Sequence, residues 1–559
     1  MGCERVLWWA VLALASPLPS MGAEAPAAAA QPCPPTEVAE PRRRSPRIPV
    51  LSYEPTPCDA SRLPPSPLEQ SGALQGLPDR WRLIESIGIP DNWIDPYHGN
   101  NPLKGDRPLF GEDWFLALIG VSDSVIEPRQ FPLPVGGPVT ERAGSLDTFG
   151  EGRQQVYAQT FALETVLYKG DTVFKPPDWE FRVTPVVNVN HVVVEERGVL
   201  KANVDARRTR TESAVGLQAA FVDKHLRNVS DRYDFDSLRV GVQPFTADFR
   251  GFLLNDSLFG VRLFGIRDDN RWQYNLVFFD MLDKDTNSGL NRFEDREQEV
   301  IAFNVYRQDW PVDGFTSSAS VHYNHDDRGV EFDDNGGLVS PAPIGVAQEN
   351  TVESVYYGVA GEGHFGRWNV STALYQATGR DSYNAIAARE VDIDAQFAAL
   401  EVSYDIDWYR IRGFGLFASG DPDPRDGDAE GFDAIFDAPN FAGGSLSFFN
   451  GQALRLLGVN LTNAGSPLPD LQSSQTQGKS NFVNPGLLQV GAALDFELTP
   501  RWRAAVGGSY LMFDDTASLE TYLQLPEVER EIGTEFFAGT QYRPMLNNHL
   551  ILSGGASML

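Results

Sequence analysis

The chain has 559 residues, with 46 Lys and Arg against 76 Asp and Glu, a formal charge of −30, and hydrophobic and aromatic shares of 42% and 11%. Acidity on this scale excludes a nucleic-acid surface, which needs a basic stripe to neutralise phosphate, and excludes broad adhesion to anionic lipid. The apolar content excludes global disorder, and no run of 18 or more apolar residues could form a membrane-spanning helix. A soluble β-protein or a membrane β-barrel remains, and one large barrel fits the length as well as several small domains do.

Residues 1–23 read as a cleaved secretory signal: Arg5, an apolar core from Val6 to Ala15, then the small residues Ser20, Gly22 and Ala23. Residues 24–77 form a Pro-rich flexible tail, as in Cys33-Pro34-Pro35 and Leu63-Pro64-Pro65, expected to be extended in the periplasm and available to a periplasmic partner. Cys33 and Cys58 are the cysteines left after cleavage. An even pair in an exported protein fits a disulfide, and two unpaired thiols fit equally well. Residues 78–111 are a short structured periplasmic segment, opened by Trp81, Leu83, Ile84 and Ile87 at the spacing of a short helix.

From 112 to 559 the period changes to two. In Gly486 to Leu498, the residues Leu488, Val490, Ala492, Leu494, Phe496 and Leu498 share one face. Gln489, Gly491, Asp495 and Glu497 share the other. The same alternation predicts strands at 113–121, 154–168, 180–194, 209–222, 237–244, 259–267, 271–283, 297–309, 315–325, 351–363, 367–378, 394–406, 409–419, 486–498, 501–513, 529–542 and 548–559. Many of them are longer than a globular strand, and a tilted membrane strand needs roughly 9–11 residues. Trp272, Trp368, Trp408, Tyr409, Trp502 and Tyr542 stand beside short connections, where an interfacial aromatic girdle belongs. Connections alternate between tight turns and long polar loops, the longest being 420–485. Short periplasmic turns and long outer loops describe an outer-membrane barrel.

The fold class expected is therefore all-β, a large antiparallel transmembrane β-barrel of about 16–18 strands, eighteen favoured because bacterial barrels use even numbers. Seventeen strands are predicted, so either one is miscounted or the sequence stops one strand short of closure.

Gly420-Asp421-Pro422-Asp423-Pro424-Arg425-Asp426-Gly427-Asp428, with Gly431-Phe432-Asp433, resembles the acidic loop of alginate-export-type porins of Gram-negative outer membranes. Gln243-Pro244-Phe245 with Asp248-Phe249-Arg250-Gly251 resembles a segment of the wider porin group. Leu103-Lys104-Gly105-Asp106-Arg107-Pro108 is similar to the stretch before the barrel in other outer-membrane proteins. The resemblance spans residue 100 to the end and implies an eighteen-stranded barrel that passes polysaccharide or anions. The strongly acidic chain departs from that family and bears against alginate itself.

The polar strand faces carry two sets of charge. Arg182, Arg239, Arg262, Arg410, Arg412, Arg501 and Arg503 are candidate pore-lining residues, because guanidinium groups stay charged and can hand an anion from donor to donor. Glu401, Asp405, Asp495, Glu497, Glu531 and Glu535 are their acidic counterparts, and charge rings of either sign set pore selectivity. The two signs could equally neutralise one another as a lattice of ion pairs that stiffens the wall. Asp421, Asp423, Asp426, Asp428 and Glu430 are candidate Ca²⁺ ligands on an oxygen-rich loop, against the reading of a solvated, self-repelling run. In the same loop, Ala453 to Val459 is too apolar to stay in water, and folding back into the barrel mouth or packing on neighbouring loops fits it equally well.

No G-x-S-x-G, H-E-x-x-H, C-x-x-C or P-loop pattern occurs, and His322 and His325 fall on opposite strand faces, so catalysis is not expected. The function expected is passive passage of polar or anionic solutes, extending by resemblance to polysaccharide, through a wide water-filled barrel in contact with outer-membrane lipid. The alternative is a structural sheath around an exported or electron-carrying partner.

Overall fold

The computed structural model describes residues 80–559, apart from 96, 131–151, 171–175, 198–199, 202, 204, 206–207, 233, 342–346, 448–477 and 547. The expected signal, the Pro-rich tail with Cys33 and Cys58, and the apolar stretch Ala453 to Val459 lie outside the described residues. Helix α1 (Arg80–Ser86) forms where the spacing predicts it.

Seventeen long strands follow: β1 (Trp114–Gln130), β2 (Arg153–Lys169), β3 (Trp179–Val194), β4 (Thr209–Asn228), β5 (Phe235–Thr246), β6 (Asn255–Arg267), β7 (Trp272–Lys284), β8 (Asn291–Arg307) and β9 (Phe315–Asp326) make the first part. Two short strands in the next loop, β10 (Glu331–Phe332) and β11 (Leu338–Ser340), pair with each other. Then come β12 (Val352–Phe365), β13 (Trp368–Asn384), β14 (Arg389–Ile406) and β15 (Tyr409–Ala418), the two-residue β16 (Asp428–Ala429), and β17 (Leu487–Thr499), β18 (Trp502–Met512), β19 (Glu531–Tyr542) and β20 (Leu552–Met558). Helix α2 (Ala517–Leu523) lies between β18 and β19.

Each long strand pairs antiparallel with the next in chain order. All seventeen predicted strands are present. The eighteenth member of the sheet is β16, which pairs parallel with β14 at Asp392↔Asp428 and is too short to span. The second edge of β1 is met by the segment before it, through the bridge Lys104↔Ala117 and the Leu118 N–H donated to Leu103 O at 2.8 Å. Tyr97, in that same segment, bonds His549 between β19 and β20, with ring centroids 5.5 Å apart.

The wall is inverted relative to a soluble protein. Along β8, Gln298, Val300, Ala302 and Asn304 are buried while Ile301 and Phe303 are 45% and 47% exposed. Along β9 the buried inward positions are Ser318, Ser320, His322 and Asn324, with Val321 exposed outside. Buried polar residues facing in and bare Phe, Leu and Val facing out suit a wall bathed in hydrocarbon, where the outward face needs no water. Trp272, Trp368, Trp408, Trp502 and Tyr542 of the predicted girdle are exposed at the tight-turn end of the barrel, Tyr409 is half-buried, and Trp179, not among the predicted girdle residues, joins them. The β6–β7 turn is tight because Asp268, Asp269 and Asn270 all accept positive φ, a conformation that short polar side chains tolerate best.

Two loops from the opposite end fold inside. Residues 247–254, between β5 and β6, and 430–447, after β15, hydrogen-bond side by side. Phe436 N–H donates to Leu253 O at 3.0 Å, Ala438 N–H to Gly251 O at 3.0 Å and Asn440 N–H to Arg250 O at 2.9 Å. Phe252, Leu253, Leu254, Ile435, Phe436 and Phe441 are buried against the inward residues Phe279, Met281, Tyr356, Tyr375, Phe397 and Phe414. A Cβ on Gly539 or Gly555 would collide with Leu446, so the two glycines leave room for the loop against β19 and β20. The wide water-filled bore expected from the sequence is corrected here: an apolar plug occupies the interior along β5 to β8 and β12 to β15.

Candidate functional site: the inner wall

The plug is pinned by one carboxylate. Asp248 accepts the backbone N–H groups of Arg250, Gly251, Phe252 and Leu253 at 2.6–3.3 Å and the Tyr375 hydroxyl at 2.8 Å. This caging fixes the turn so that Arg250 points across to β13 and β14. There its guanidinium donates to Ser371 Oγ at 3.0 Å and to Glu401 Oε1 at 3.1 Å. Glu401 also receives Arg412 at 3.3 Å, and Arg412 reaches Asp495 at 3.0 Å. The resulting chain Arg250–Glu401–Arg412–Asp495 is charge-balanced, and its two glutamate oxygens are both used. This part of the site matches the stiffened-wall reading rather than a row of available cations.

The wall of β3 to β7 differs. Arg239 and Arg262 are direct cross-strand partners on the inner face. They interleave with aromatic rings: Arg239 lies 4.2 Å from the Phe221 centroid and 5.5 Å from Phe264, and Arg262 lies 4.7 Å from Phe264 and 5.6 Å from Phe245. Asp223 pairs with Arg239 at 2.8 Å, whereas Arg262 donates to the uncharged Asn275 Oδ1 at 2.7 Å. Like charges directly opposed across a ladder destabilise it, and one carboxylate here serves two guanidinium groups. Ring faces hold both cations in place. Arg182 completes the row, bonded to Glu180 at 2.8 Å and Glu164 at 3.1 Å and lying 5.5 Å from Phe221.

The remaining candidates are placed as follows. Arg410 pairs with Asp405 and Arg503 with Glu497 near the tight-turn end, all four nearly half exposed. Glu535 is fully buried and accepts Ser447 Oγ of the inward loop at 3.1 Å. Arg501 is corrected: it sits exposed in the β17–β18 turn and not on a strand face. Glu531 is corrected too, because a register shift between Leu511 and Met512 breaks the parity of β19 there. It lies at the strand end beside Tyr510, whose ring is on the outer face. Sequence reasoning assigned no role to Asp248, Arg250, Phe221, Phe245, Phe264 or Asn275. For Phe245, Asp248 and Arg250 a signal existed, since they lie in the two quoted porin-like motifs.

The acidic loop caps its own backbone. Asp421 Oδ1 accepts Asp423 N–H at 3.0 Å, Asp423 Oδ1 accepts Arg425 N–H at 3.3 Å and Asp426 Oδ1 accepts Asp428 N–H at 2.9 Å. Among the described residues, no three His, Cys, Asp or Glu side chains gather closely enough to hold a metal ion. Asp421 is 1% exposed; burial, aided by the charges of Asp426, Glu430 and Asp423, pushes its carboxyl up to about 7. An acid with a raised pKa in the fold holds its proton more tightly folded than unfolded, so the loop loses stability as pH rises from about 4 towards 7. Asp421→Asn should remove that loss. Limited proteolysis of the loop at pH 5 and pH 8 should show faster cutting at pH 8 in the wild type and equal rates in the variant. Equal rates in both proteins would refute a titrating Asp421.

No family model and no curated protein matches the chain. Among solved structures, it is similar to Pseudomonas aeruginosa OccK5 (OpdH), with 12% identity over 80% of this chain and 99% of that one at a TM-score of 0.37. It is also similar to P. aeruginosa OccK9 (OpdG), with 12% identity over 80% and 98% at a TM-score of 0.39. A BenF-like porin from Pseudomonas fluorescens Pf-5 shows 10% identity over 79% and 92% at a TM-score of 0.41.

Proposed function

We propose that the protein is an outer-membrane channel for passive passage of small polar or anionic solutes, selected along the arginine row of β3, β5 and β6. The observation that carries the reading is the Arg239–Arg262 pair, two facing guanidinium groups on the inner wall with a single carboxylate between them. An outward apolar face with a tryptophan girdle supports placement in a bilayer, and the tight turns mark the periplasmic end. The interior plug and the strongly acidic chain support small solutes over polysaccharide, despite the resemblance of residues 420–433 to an alginate-export loop. A sheath around a folded partner needs a bore that the chain's own loops already occupy.

Reversal potentials in a salt gradient across planar bilayers test the reading. The wild type should prefer anions. Arg262→Gln should lower the anion-to-cation permeability ratio roughly fivefold, equivalent to about 1 kcal/mol at the selective point. Cation preference in the wild type, or an unchanged ratio in the variant, would overturn it.

A further inference from the structure

On the outer wall, near the loop end, the chain builds a half-open cleft of about 340 Å³. Ala220, Val242 and Phe259 stand side by side in register on β4, β5 and β6 and form its floor. Val242 points outward yet is only 3% exposed, so something overhangs it. The overhang comes from β8. Two register shifts against β7, between Asp280 and Leu282 and between Leu282 and Lys284, push β8 residues 292–294 and 296–298 out of the ladder, and Phe293 and Glu294 line the cleft beside Asp295, which stays paired with Leu282. Bulges of this kind re-aim side chains at strand ends.

The cleft joins two chemistries. Its floor is apolar, while its rim holds Asp280, Glu294 and Asp295, with Glu299 also close to Asp280. Among the described residues no lysine, arginine or histidine pairs with Asp280, Glu294 or Asp295, which is unusual for carboxylates on an apolar wall. Asp280 is eight residues from Trp272 of the girdle, and strands rising about 3.3 Å per residue at a tilt of about 40° put it roughly 20 Å above that rim. That height is just inside the far boundary of an apolar band about 25 Å tall, where head groups meet tails.

We propose that the cleft binds a cationic amphiphile, its alkyl chain along Ala220, Val242 and Phe259 and its ammonium head at Asp280 and Asp295. The inference rests on the reading that this wall faces lipid, and it concerns a site separate from the channel interior. An alkyl chain fills the floor that water leaves unsatisfied, and the head neutralises carboxylates that the chain itself does not.

The test uses the full chain refolded in neutral maltoside micelles and examined by native mass spectrometry. Dodecyltrimethylammonium and dodecyl sulfate, which share one tail, are titrated in parallel, and dodecyl phosphate is added with and without Ca²⁺. One dodecyltrimethylammonium should be retained at a concentration at least tenfold lower than dodecyl sulfate requires. Asp280→Asn combined with Asp295→Asn should erase that preference, and Val242→Trp should fill the floor and abolish retention of both. Equal retention of the two probes, a preference that survives the double variant, or retention of dodecyl phosphate only with Ca²⁺ would each overturn the proposal, the last by showing a metal-bridged anion instead. Conductance of the same samples separates the two readings: an intact channel without head-group preference removes the cleft alone, whereas absent conductance removes the channel.

Discussion

Deleting residues 432–481 and joining the ends with a short Gly-Ser link should raise single-channel conductance roughly threefold or more, because conduction follows the narrowest cross-section. The ends are already adjacent, since Gly431 N–H donates to Phe482 O at 2.8 Å. The deletion removes Ile435, Phe436, Phe441 and Ala442, which fill the bore against Phe397 and Phe414. It spares every strand and the arginine row, so anion preference should persist while its degree falls. The neighbouring loop 247–254 keeps its Asp248 cage and continues to present Arg250. Unchanged conductance in the shortened protein would mean that current already bypasses the plug, and the constriction would have to be sought elsewhere.

A lysine at Leu374 should cost about 2–4 kcal/mol, the penalty for a cation at the midplane of a barrel's lipid face. Leu374 is 51% exposed, six residues above Trp368 and therefore near the middle of the apolar band. A lysine at Ala162, on the inner face of β2 at a comparable height, should cost less than about 1 kcal/mol, because its ammonium meets water and the carboxylate of Glu164. Urea unfolding in lipid vesicles reads both values. The reverse order would show that the faces have been assigned the wrong way round.

The wall was legible in the sequence because a membrane strand writes its two environments in alternate residues. Gln489 buried and Val490 exposed repeat the pattern read from Gly486 to Leu498. Tight turns and their tryptophans were equally readable, being local. Phe432, Ile435 and Phe436 could not be placed by the same rule. They lie in a loop without period, and their burial depends on distant residues: Leu253 for Ile435 and Phe436, Tyr356 and Phe397 for Phe432. Glu531 shows a different failure: one bulge reverses parity beyond it, and nothing in the alternation announces a bulge. The arginine row was half legible, since strand faces identified Arg239 and Arg262 as inward but could not show that Asp223 attends one and Asn275 the other.

The reach of Arg250 also sets a timetable for assembly. Neighbouring strands need only their own hairpin to pair, so most of the sheet can form in order of synthesis with short loop closures. Arg250, however, is fastened to Ser371 and Glu401, 121 and 151 residues further along. Until β13, β14 and the loop after β15 arrive, Leu253 and Leu254 lack the cover of Ile435 and Phe436, and a half-made sheet presents this sticky interior to its surroundings. The interval between β5 and the loop after β15 is therefore the stretch of biogenesis in which the nascent protein most needs a periplasmic holding factor, and pulse-labelling should catch it bound there.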